Sequence, residues 1–284
     1  MDSLKQYEVL QWASLFLEEH QREAGVAQIL LQHHLGKGRA QFYADMQEKV
    51  PETLVERFER DIKEHARTGV PVQHLIGEEI FFDRSFKVTR DVLIPRPETE
   101  ELVQHVIKNA PKEAPITIVD VGTGSGIIGI TLALELPHAT VYATDISPEA
   151  LAIAKRNATE LGAAVNFLQG NFLQPLQDAD VKVDVLVSNP PYIARKEAAS
   201  LSDTVKNFDP ELALFADEEG LAAYKVITKQ ATAILRSGGS IAYEIGHEQA
   251  GEVTTIIKKE FPSSHVSTVK DINGKDRIIT AALS

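Results

Sequence analysis

A chain of 284 residues, of which 43% are hydrophobic, is long enough to bury the cores of one large domain and one smaller domain. The absence of cysteine excludes a disulfide framework, a thiolate nucleophile and a cysteine-ligated metal site, and we expect no metal site of any other kind. The net charge of −12 disfavours direct binding of nucleic acid, because a phosphate backbone normally requires a basic face.

No stretch of the sequence approaches the roughly 20 consecutive apolar residues that span a bilayer. The first residues also lack a basic segment followed by an apolar run, the pattern of a secretory signal. We therefore expect a cytoplasmic protein without a membrane partner.

The first 75 residues carry apolar side chains at helical spacing, for example Val9, Trp12 and Phe16. Glycine and proline interrupt this pattern at residues 36–38 and 50–51 and end it at residues 69–71. The pattern predicts a small domain of several helices over residues 1–75.

Residues 76–97 contain two short β-prone runs, around Phe81 and Phe86, separated by a polar turn. These runs predict a β-hairpin that links two domains. Pro97, followed by acidic residues, suits the first turn of a helix, where a missing N–H costs nothing and negative charge favours the helix dipole. We place the start of the second domain, residues 98–284, at this helix.

Apolar strands alternate with helices after Pro115, which predicts an α/β fold with a parallel sheet covered on both faces. The last two β-prone segments flank Asn273 and Gly274, a pair favoured in antiparallel hairpins. We therefore expect a mostly parallel sheet with an antiparallel last strand. The predicted parallel strands are 116–121, 140–144, 165–168, 183–187 and 240–245.

A glycine-rich loop follows the first of these strands and leads directly into a helix. Glycine allows a sharp turn and a close approach of a ligand, and the free N–H groups at the helix start attract negative groups. The pattern from Gly124 to Gly129 also satisfies GxGxxG, so a nicotinamide dehydrogenase stays open at this point. The loop consists of Gly122, Thr123, Gly124, Ser125 and Gly126.

Asp145 ends the second predicted strand, where a carboxylate can accept hydrogen bonds from both hydroxyls of a ribose. The alternative role for Asp145 is an N-terminal cap of the helix that follows Ser147 and Pro148. Together with the glycine loop, this position favours binding of an adenosine-containing cofactor.

A second loop, Asn189-Pro190-Pro191-Tyr192, follows the apolar strand 183–187. The consecutive prolines fix two φ angles and remove two donors, so that acceptor oxygens dominate the loop. The side-chain oxygen of Asn189 and the carbonyl of Pro190 could hold an NH2 group by its two hydrogens, while Tyr192 covers its planar face. This arrangement suits methylation of a planar nitrogen. An ordinary proline-rich turn is the structural alternative.

Taken together, these motifs resemble the HemK/PrmC family, the glutamine-N5 methyltransferases of peptide-chain release factors. The resemblance covers nearly the whole chain and preserves the family's order of motifs. The segments that carry it are 69–77, Leu93-Ile94-Pro95-Arg96-Pro97-Glu98-Thr99-Glu100, the glycine loop and Asn189-Pro190-Pro191-Tyr192.

This resemblance implies a class I (Rossmann-like) methyltransferase domain with a seven-stranded sheet, and a helical N-terminal domain that helps to hold the substrate. It implies methyl transfer from S-adenosyl-L-methionine, with S-adenosyl-L-homocysteine as product, to the glutamine of the Gly-Gly-Gln motif of class 1 release factors. We expect the enzyme to act as a monomer.

By this resemblance, the cofactor contacts fall on Gly122 to Gly126, Asp145, Phe172 and Asn189. The substrate contacts fall on Asn189, Pro190, Pro191 and Tyr192, of which Asn189, Pro190 and Tyr192 are the expected catalytic residues.

The sequence departs from the family pattern at two positions. Phe172 stands where many relatives have tryptophan, which preserves stacking but loses an indole N–H. Asp209 stands where glutamate is more usual, which leaves the role of that carboxylate open.

Two related activities also remain open at this stage. A glutamine methyltransferase of a ribosomal protein shares the same chemistry, and an adenine-N6 nucleic-acid methyltransferase presents a similar loop to a planar NH2. The net charge argues against the second.

Overall fold

The computed structural model of the chain describes residues 4–284, apart from the side chain of Ser200. These residues form two compact units. One contains the residues up to Gly77 together with Ser202–Phe208, and the other contains Glu78–Leu201 together with Asp209–Ser284.

The helices are α1 (Gln6–Glu19), α2 (Gly25–Leu35), α3 (Arg39–Ala44), α4 (Glu52–Thr68), α5 (Val72–Ile76), α6 (Pro97–Asn109), α7 (Ile127–Glu135), α8 (Pro148–Leu161), α9 (Gln174–Asp178), α10 (Asp203–Phe208), α11 (Glu211–Leu214), α12 (Asp217–Gly220), α13 (Ala222–Ala231) and α14 (Ala250–Glu260). A 3-10 helix covers Arg195–Ser200. Within residues 4–284, no helix has both the length and the apolar character needed to cross a membrane.

The strands are β1 (Glu78–Phe81), β2 (Arg84–Lys87), β3 (Ile116–Val121), β4 (Ala139–Asp145), β5 (Val165–Gln169), β6 (Val183–Ser188), β7 (Ile193–Ala194), β8 (Phe215–Ala216), β9 (Leu235–Glu244), β10 (His265–Lys270) and β11 (Asp276–Ala282).

The first unit is helical, as the spacing of its apolar residues predicts. Helices α1, α2 and α4 pack against one another around a core that includes Leu17, Leu31, Phe42 and Phe58, all fully buried. Apolar residues three and four positions apart lie on one face of a helix, so each helix buries a single stripe here.

The large sheet of the second unit has the strand order β10-β11-β9-β6-β3-β4-β5. Strands β9, β6, β3, β4 and β5 run parallel to one another, whereas β11 runs antiparallel to both β9 and β10. The predicted mostly parallel sheet of seven strands with an antiparallel last strand is therefore confirmed.

Both faces of the central strands β3 and β6 are buried, because successive residues of a strand point to opposite faces and helices cover each face. Ile118 of β3 packs on one side with Ile130 of α7. Val119, the next residue of β3, packs on the other side with Leu186 of β6 and Tyr224 of α13.

The predicted hairpin is also present, since β1 and β2 pair antiparallel with Phe81 opposite Arg84. Helix α6 begins with Pro97 at its first position. By contrast, the parallel pairing of β7 with β8 was not predicted, because two-residue strands leave no periodic signal. This pairing joins the segment after Asn189 to the segment that follows Pro210.

Parallel strands place the loops that follow them at one edge of the sheet. In this chain, the carboxyl ends of β3, β4, β6 and β9 and the loops that follow them lie at that edge. They carry the glycine loop, Asp145, Asn189 and Glu244.

Candidate active site

The glycine loop makes a tight turn at the end of β3. The N–H groups of Gly122 and Thr123 both donate to the Thr144 carbonyl at 2.9 Å, which ties the loop to β4. A Cβ added to Gly122 or Gly124 would enter open space, and both residues line a cavity of about 470 Å³. The backbone of this loop is therefore accessible to a ligand.

Gly126 has a different environment from the other two glycines. It has a φ of 87°, and a Cβ at this position would lie 2.6 Å from Ile130 Cδ1 and 3.1 Å from Ala154 Cβ. Helices α7 and α8 thus approach closely at Gly126, which is not among the residues that line the cavity.

Replacing Gly126 by alanine is expected to destabilise the protein more than the same change at Gly162. Gly162 has a φ of 71°, but nothing lies within 4 Å of its added Cβ. Both variants acquire left-handed backbone strain of about 1–2 kcal/mol, and Gly126→Ala adds overpacking of about 1–3 kcal/mol. Urea unfolding of the two variants measures the difference, and equal losses would contradict the close packing at Gly126.

Asp145 lines the same cavity, at the end of β4. Its carboxylate accepts hydrogen bonds from the N–H groups of Gly124 at 2.8 Å and Ser147 at 2.9 Å. The cap of α8 is Ser147, whose hydroxyl accepts from the Ala150 N–H at 3.0 Å. Asp145 therefore braces the glycine loop and presents negative charge to the cavity.

Asp120 is a buried acid beneath the glycine loop that sequence reasoning missed. One carboxyl oxygen accepts from the Thr123 hydroxyl at 2.5 Å and from the Gly129 N–H at 2.9 Å. The other oxygen is buried without a partner among residues 4–284. Burial raises the pKa of Asp120 to about 7, against the lowering effect of these two hydrogen bonds. Its position at the penultimate residue of β3, just before the glycines, was the available signal.

The raised pKa of Asp120 makes stability depend on pH. The folded-state pKa of Asp120 lies above the unfolded value of about 4. The contribution of Asp120 to the unfolding free energy is therefore complete below about pH 4 and is lost as pH rises through about 7. When the pH rises from about 5.5 to about 8.5, we expect the unfolding free energy of the unsubstituted protein to fall by about 2 kcal/mol more than that of Asp120→Asn. Urea unfolding at both pH values tests this, and identical pH slopes would refute it.

The Asn189 loop lies next to the glycine loop. Ser188, the last residue of β6, donates its hydroxyl to the Val121 carbonyl at 2.6 Å and so joins the ends of β6 and β3. Asn189 and Pro191 line the cavity together with the glycine loop. Pro190 is buried and Tyr192 is half-buried, and neither is among the lining residues.

Tyr192 is held through its backbone. Its carbonyl accepts from Gln249 Nε2 at 3.0 Å, and a Cβ on Gly220 would collide with that same oxygen. Burial raises the pKa of the Tyr192 phenol to about 12, and the negative charge of Glu244 adds to this rise. The phenol therefore stays neutral near pH 7 and is not a general base.

Two further residues contact the Asn189 side chain, and sequence reasoning assigned neither of them a role. Asn189 Nδ2 donates to Thr99 Oγ1 at 3.2 Å, and Thr99 Oγ1 donates to Glu244 Oε2 at 2.7 Å. Burial raises the pKa of Glu244 to about 7. Thr99 belongs to the motif over residues 93–100, which was the only sequence signal for its importance.

Asp209 has a partner in the same motif. Its buried carboxylate accepts from Arg96 Nη2 at 2.9 Å. Burial raises the pKa of Asp209, and the positive charge of Arg96 opposes that rise. The carboxylate whose role the sequence left open thus pairs with Arg96, which itself lines the cavity.

Phe172 lines the cavity with a left-handed backbone, at a φ of 52°. A bulky residue adopts this conformation only at a cost of about 1–3 kcal/mol. Such strain is typical of a side chain held for function.

The cavity fits a nucleoside cofactor. Its volume lies within the usual range for ligand pockets, about 300–1,000 Å³. It combines open backbone at Gly122 and Gly124, the Asp145 carboxylate for hydroxyl groups, and an aromatic ring at Phe172 for a planar base.

Comparison with known proteins identifies the family of this chain. The model of the PrmC N-terminal domain matches residues 8–77, and that of the methyltransferase small domain matches residues 98–208. A release factor glutamine methyltransferase from Bacillus subtilis is 43% identical over 98% of this chain and 97% of its own length. The chain belongs to the release factor glutamine methyltransferase family. Its relative from Enterococcus faecalis is 39% identical over 97% of this chain and 98% of that protein.

Solved structures support the fold of this family member. A methyltransferase from Pyrococcus furiosus matches with a TM-score of 0.52 at 14% identity, over 80% of this chain and 98% of that one. A 16S rRNA methyltransferase from Thermus thermophilus, solved with AdoMet and guanosine, matches with a TM-score of 0.52 at 13% identity, over 73% of this chain and 50% of that one. The class I methyltransferase fold predicted from the motifs is thus confirmed.

Proposed function

We propose that this chain transfers a methyl group from S-adenosyl-L-methionine to the side-chain amide nitrogen (N5) of the glutamine in the Gly-Gly-Gln motif of a class 1 release factor. The observation that carries the proposal is that Asn189 lines the same cavity as Gly122 to Ser125 and Asp145. An acceptor for the substrate amide and a site for the cofactor therefore adjoin each other.

Residues of the glycine loop, Asp145 and Phe172 would hold the cofactor. Asp145 is suited to accept from ribose hydroxyls, and Phe172 is suited to stack on the adenine. When bound, S-adenosyl-L-methionine supplies an electrophilic methyl carbon on a sulfonium and leaves as S-adenosyl-L-homocysteine.

The Asn189 side-chain oxygen and the Pro190 carbonyl would hold the substrate amide by its two hydrogens. Neither oxygen accepts a hydrogen bond from another group within residues 4–284. An amide nitrogen is a poor nucleophile because its lone pair is delocalised, and it gains positive charge as the new N–C bond forms. Two fixed acceptor dipoles stabilise that charge more in the transition state than in the ground state. The nitrogen then releases one proton to water.

The same acceptor pair would select glutamine over glutamate. A substrate carboxylate would place oxygen lone pairs against the oxygens of Asn189 and Pro190. We propose that Tyr192 covers the planar face of the amide, as a neutral phenol.

The domains would divide this work. We propose that residues 1–75 help to hold the release factor, that residues 76–97 form the linker, and that residues 98–284 carry out methyl transfer. We further propose that the enzyme acts as a monomer in the cytoplasm.

Transfer of labelled methyl from S-adenosyl-L-methionine to a purified release factor tests the function. The matched control is the same release factor with glutamate in place of the glutamine of its Gly-Gly-Gln motif. Label in the first and not in the second is the expected result. Label instead in a ribosomal protein, or in adenine of a nucleic acid, would overturn the assignment in favour of the corresponding alternative.

A further inference from the structure

The Asn189 side chain is held by two buried residues from different parts of the sequence. Strands β6 and β9 are parallel neighbours with Ser188 opposite Tyr243, so the residues that follow, Asn189 and Glu244, lie at the same edge. The first turn of α6 brings Thr99 to this point. Thr99 and Glu244 are 1% and 2% exposed.

When Glu244 is ionised, the hydrogen bonds that link Asn189, Thr99 and Glu244 have a fixed direction. A carboxylate only accepts, so the single hydroxyl hydrogen of Thr99 goes to Glu244, at 2.7 Å. Thr99 Oγ1 is then an acceptor toward Asn189, which must turn its NH2 toward it, at 3.2 Å. The Asn189 oxygen is left on the opposite side of the carboxamide, without a hydrogen-bond partner in residues 4–284.

We propose that Thr99 and Glu244 are positioning residues that select the orientation of the Asn189 carboxamide, so that it offers an oxygen rather than an NH2 group to the substrate amide. This inference rests on the proposed function. Without such a selector the two orientations of an asparagine have nearly the same shape. The wrong orientation would place donor against donor at the substrate nitrogen.

Protonation of Glu244 reverses the direction of both hydrogen bonds. A carboxylic acid can donate to Thr99 Oγ1, which then donates to the Asn189 oxygen and turns the NH2 toward the substrate. Burial raises the pKa of Glu244 to about 7, while hydrogen bonds from Thr99 and Asn189 and the charge of Arg277 lower it. The charged and titratable groups that face Glu244 are Glu98 of α6, Arg277 of β11, Tyr192 after β6 and Tyr224 of α13.

The first test uses substitutions at Thr99. The hydrogen bonds from Asn189 to Thr99 and from Thr99 to Glu244 form a relay, which Thr99→Val removes. We expect kcat on the release factor to fall about 10- to 100-fold, because small misplacements at a reacting centre have effects of this size. The Kd for S-adenosyl-L-methionine should stay within about twofold of the unsubstituted enzyme. Thr99→Ser keeps the hydroxyl and should restore kcat to within about threefold.

A matched control removes a different buried hydroxyl. Thr131 of α7 is fully buried, and its hydroxyl has no partner within residues 4–284. Thr131→Val should keep kcat within about twofold. Thr99→Val with kcat equal to that of Thr131→Val would overturn the relay.

The second test uses pH. The kcat of the unsubstituted enzyme should fall as pH decreases below about 7, where Glu244 becomes protonated. Glu244→Gln should remove this acidic limb and lower the plateau. Asp120→Asn should retain the limb, which separates Glu244 from the other buried acid of similar pKa. An acidic limb that survives in Glu244→Gln would overturn the role of Glu244.

A readout without substrate separates the relay from the proposed function. In isotope-labelled protein, the side-chain NH2 resonances of Asn189 are identified by their loss in Asn189→Ala. They should titrate near pH 7 in the unsubstituted enzyme and stay constant in Glu244→Gln. Titration that persists in Glu244→Gln refutes the relay, whereas failure to methylate any release factor, with the titration as expected, refutes only the proposed function.

Discussion

Replacing Asn189 by alanine is expected to abolish methyl transfer, with kcat reduced by about 10³-fold or more. The substitution removes one of the two acceptors proposed to hold the amide hydrogens and to stabilise positive charge on the nitrogen. Cofactor binding should change little, because Asp145 and the glycine loop keep their mutual contacts. We expect the Kd for S-adenosyl-L-methionine to rise by less than about fivefold.

Calorimetric titration and single-turnover methyl transfer measure these two quantities separately. Asn109→Ala is the matched control, since Asn109 is exposed at the end of α6 and its side chain donates to the His105 carbonyl at 2.8 Å. That variant should behave as the unsubstituted enzyme does. A rise in Kd as large as the fall in kcat, in Asn189→Ala, would contradict a role in the transfer step.

Replacing Asp145 by alanine is expected to weaken cofactor binding and to leave the transfer step nearly unchanged, the opposite of Asn189→Ala. The Kd for S-adenosyl-L-methionine should rise about 100-fold, because hydrogen bonds to a charged group contribute about 1.5–3 kcal/mol each. The kcat at saturating cofactor should stay within about fivefold of the original value. The Gly124 and Ser147 N–H groups also lose their acceptor, so the unfolding free energy should fall by about 1–3 kcal/mol.

Glu160→Ala is the control for loss of a carboxylate near this region. Glu160 is an exposed residue of α8 that pairs with Arg156. It should leave cofactor affinity unchanged and stability within about 0.5 kcal/mol. If saturating cofactor fails to restore kcat in Asp145→Ala, the carboxylate acts in the transfer step and the division of roles between Asp145 and Asn189 is wrong.

The five parallel strands of the large sheet and the two loops were predictable because their signals are local. Each strand is a short apolar run bounded by turn residues, and burial on both faces of a parallel sheet requires such runs. The glycine loop and the Asn189 loop are each consecutive residues after a strand. The topology of parallel strands then requires these loops to share one edge, before any coordinate is known.

The residues that hold the Asn189 side chain had no local signal in the sequence. Glu244 ends a strand as an acid among apolar residues, and nothing in its neighbours distinguishes it from a strand-end cap. Its partner Thr99 lies 145 positions away in the sequence. The pairing of Arg96 with Asp209 spans 113 positions and likewise depends on how the chain folds back.

The sequence by itself determined the α/β class, the antiparallel last strand and the position of the glycine loop, Asp145 and Asn189 at strand ends, because these follow from periodicity and from motifs of consecutive residues. Only the tertiary structure decided that Thr99 and Glu244 hold the Asn189 carboxamide and that Asp120 lies buried beneath the glycine loop with one oxygen unpaired in residues 4–284. Burial and the direction of a hydrogen bond depend on which atoms of distant segments meet, and spacing along a chain does not contain that information.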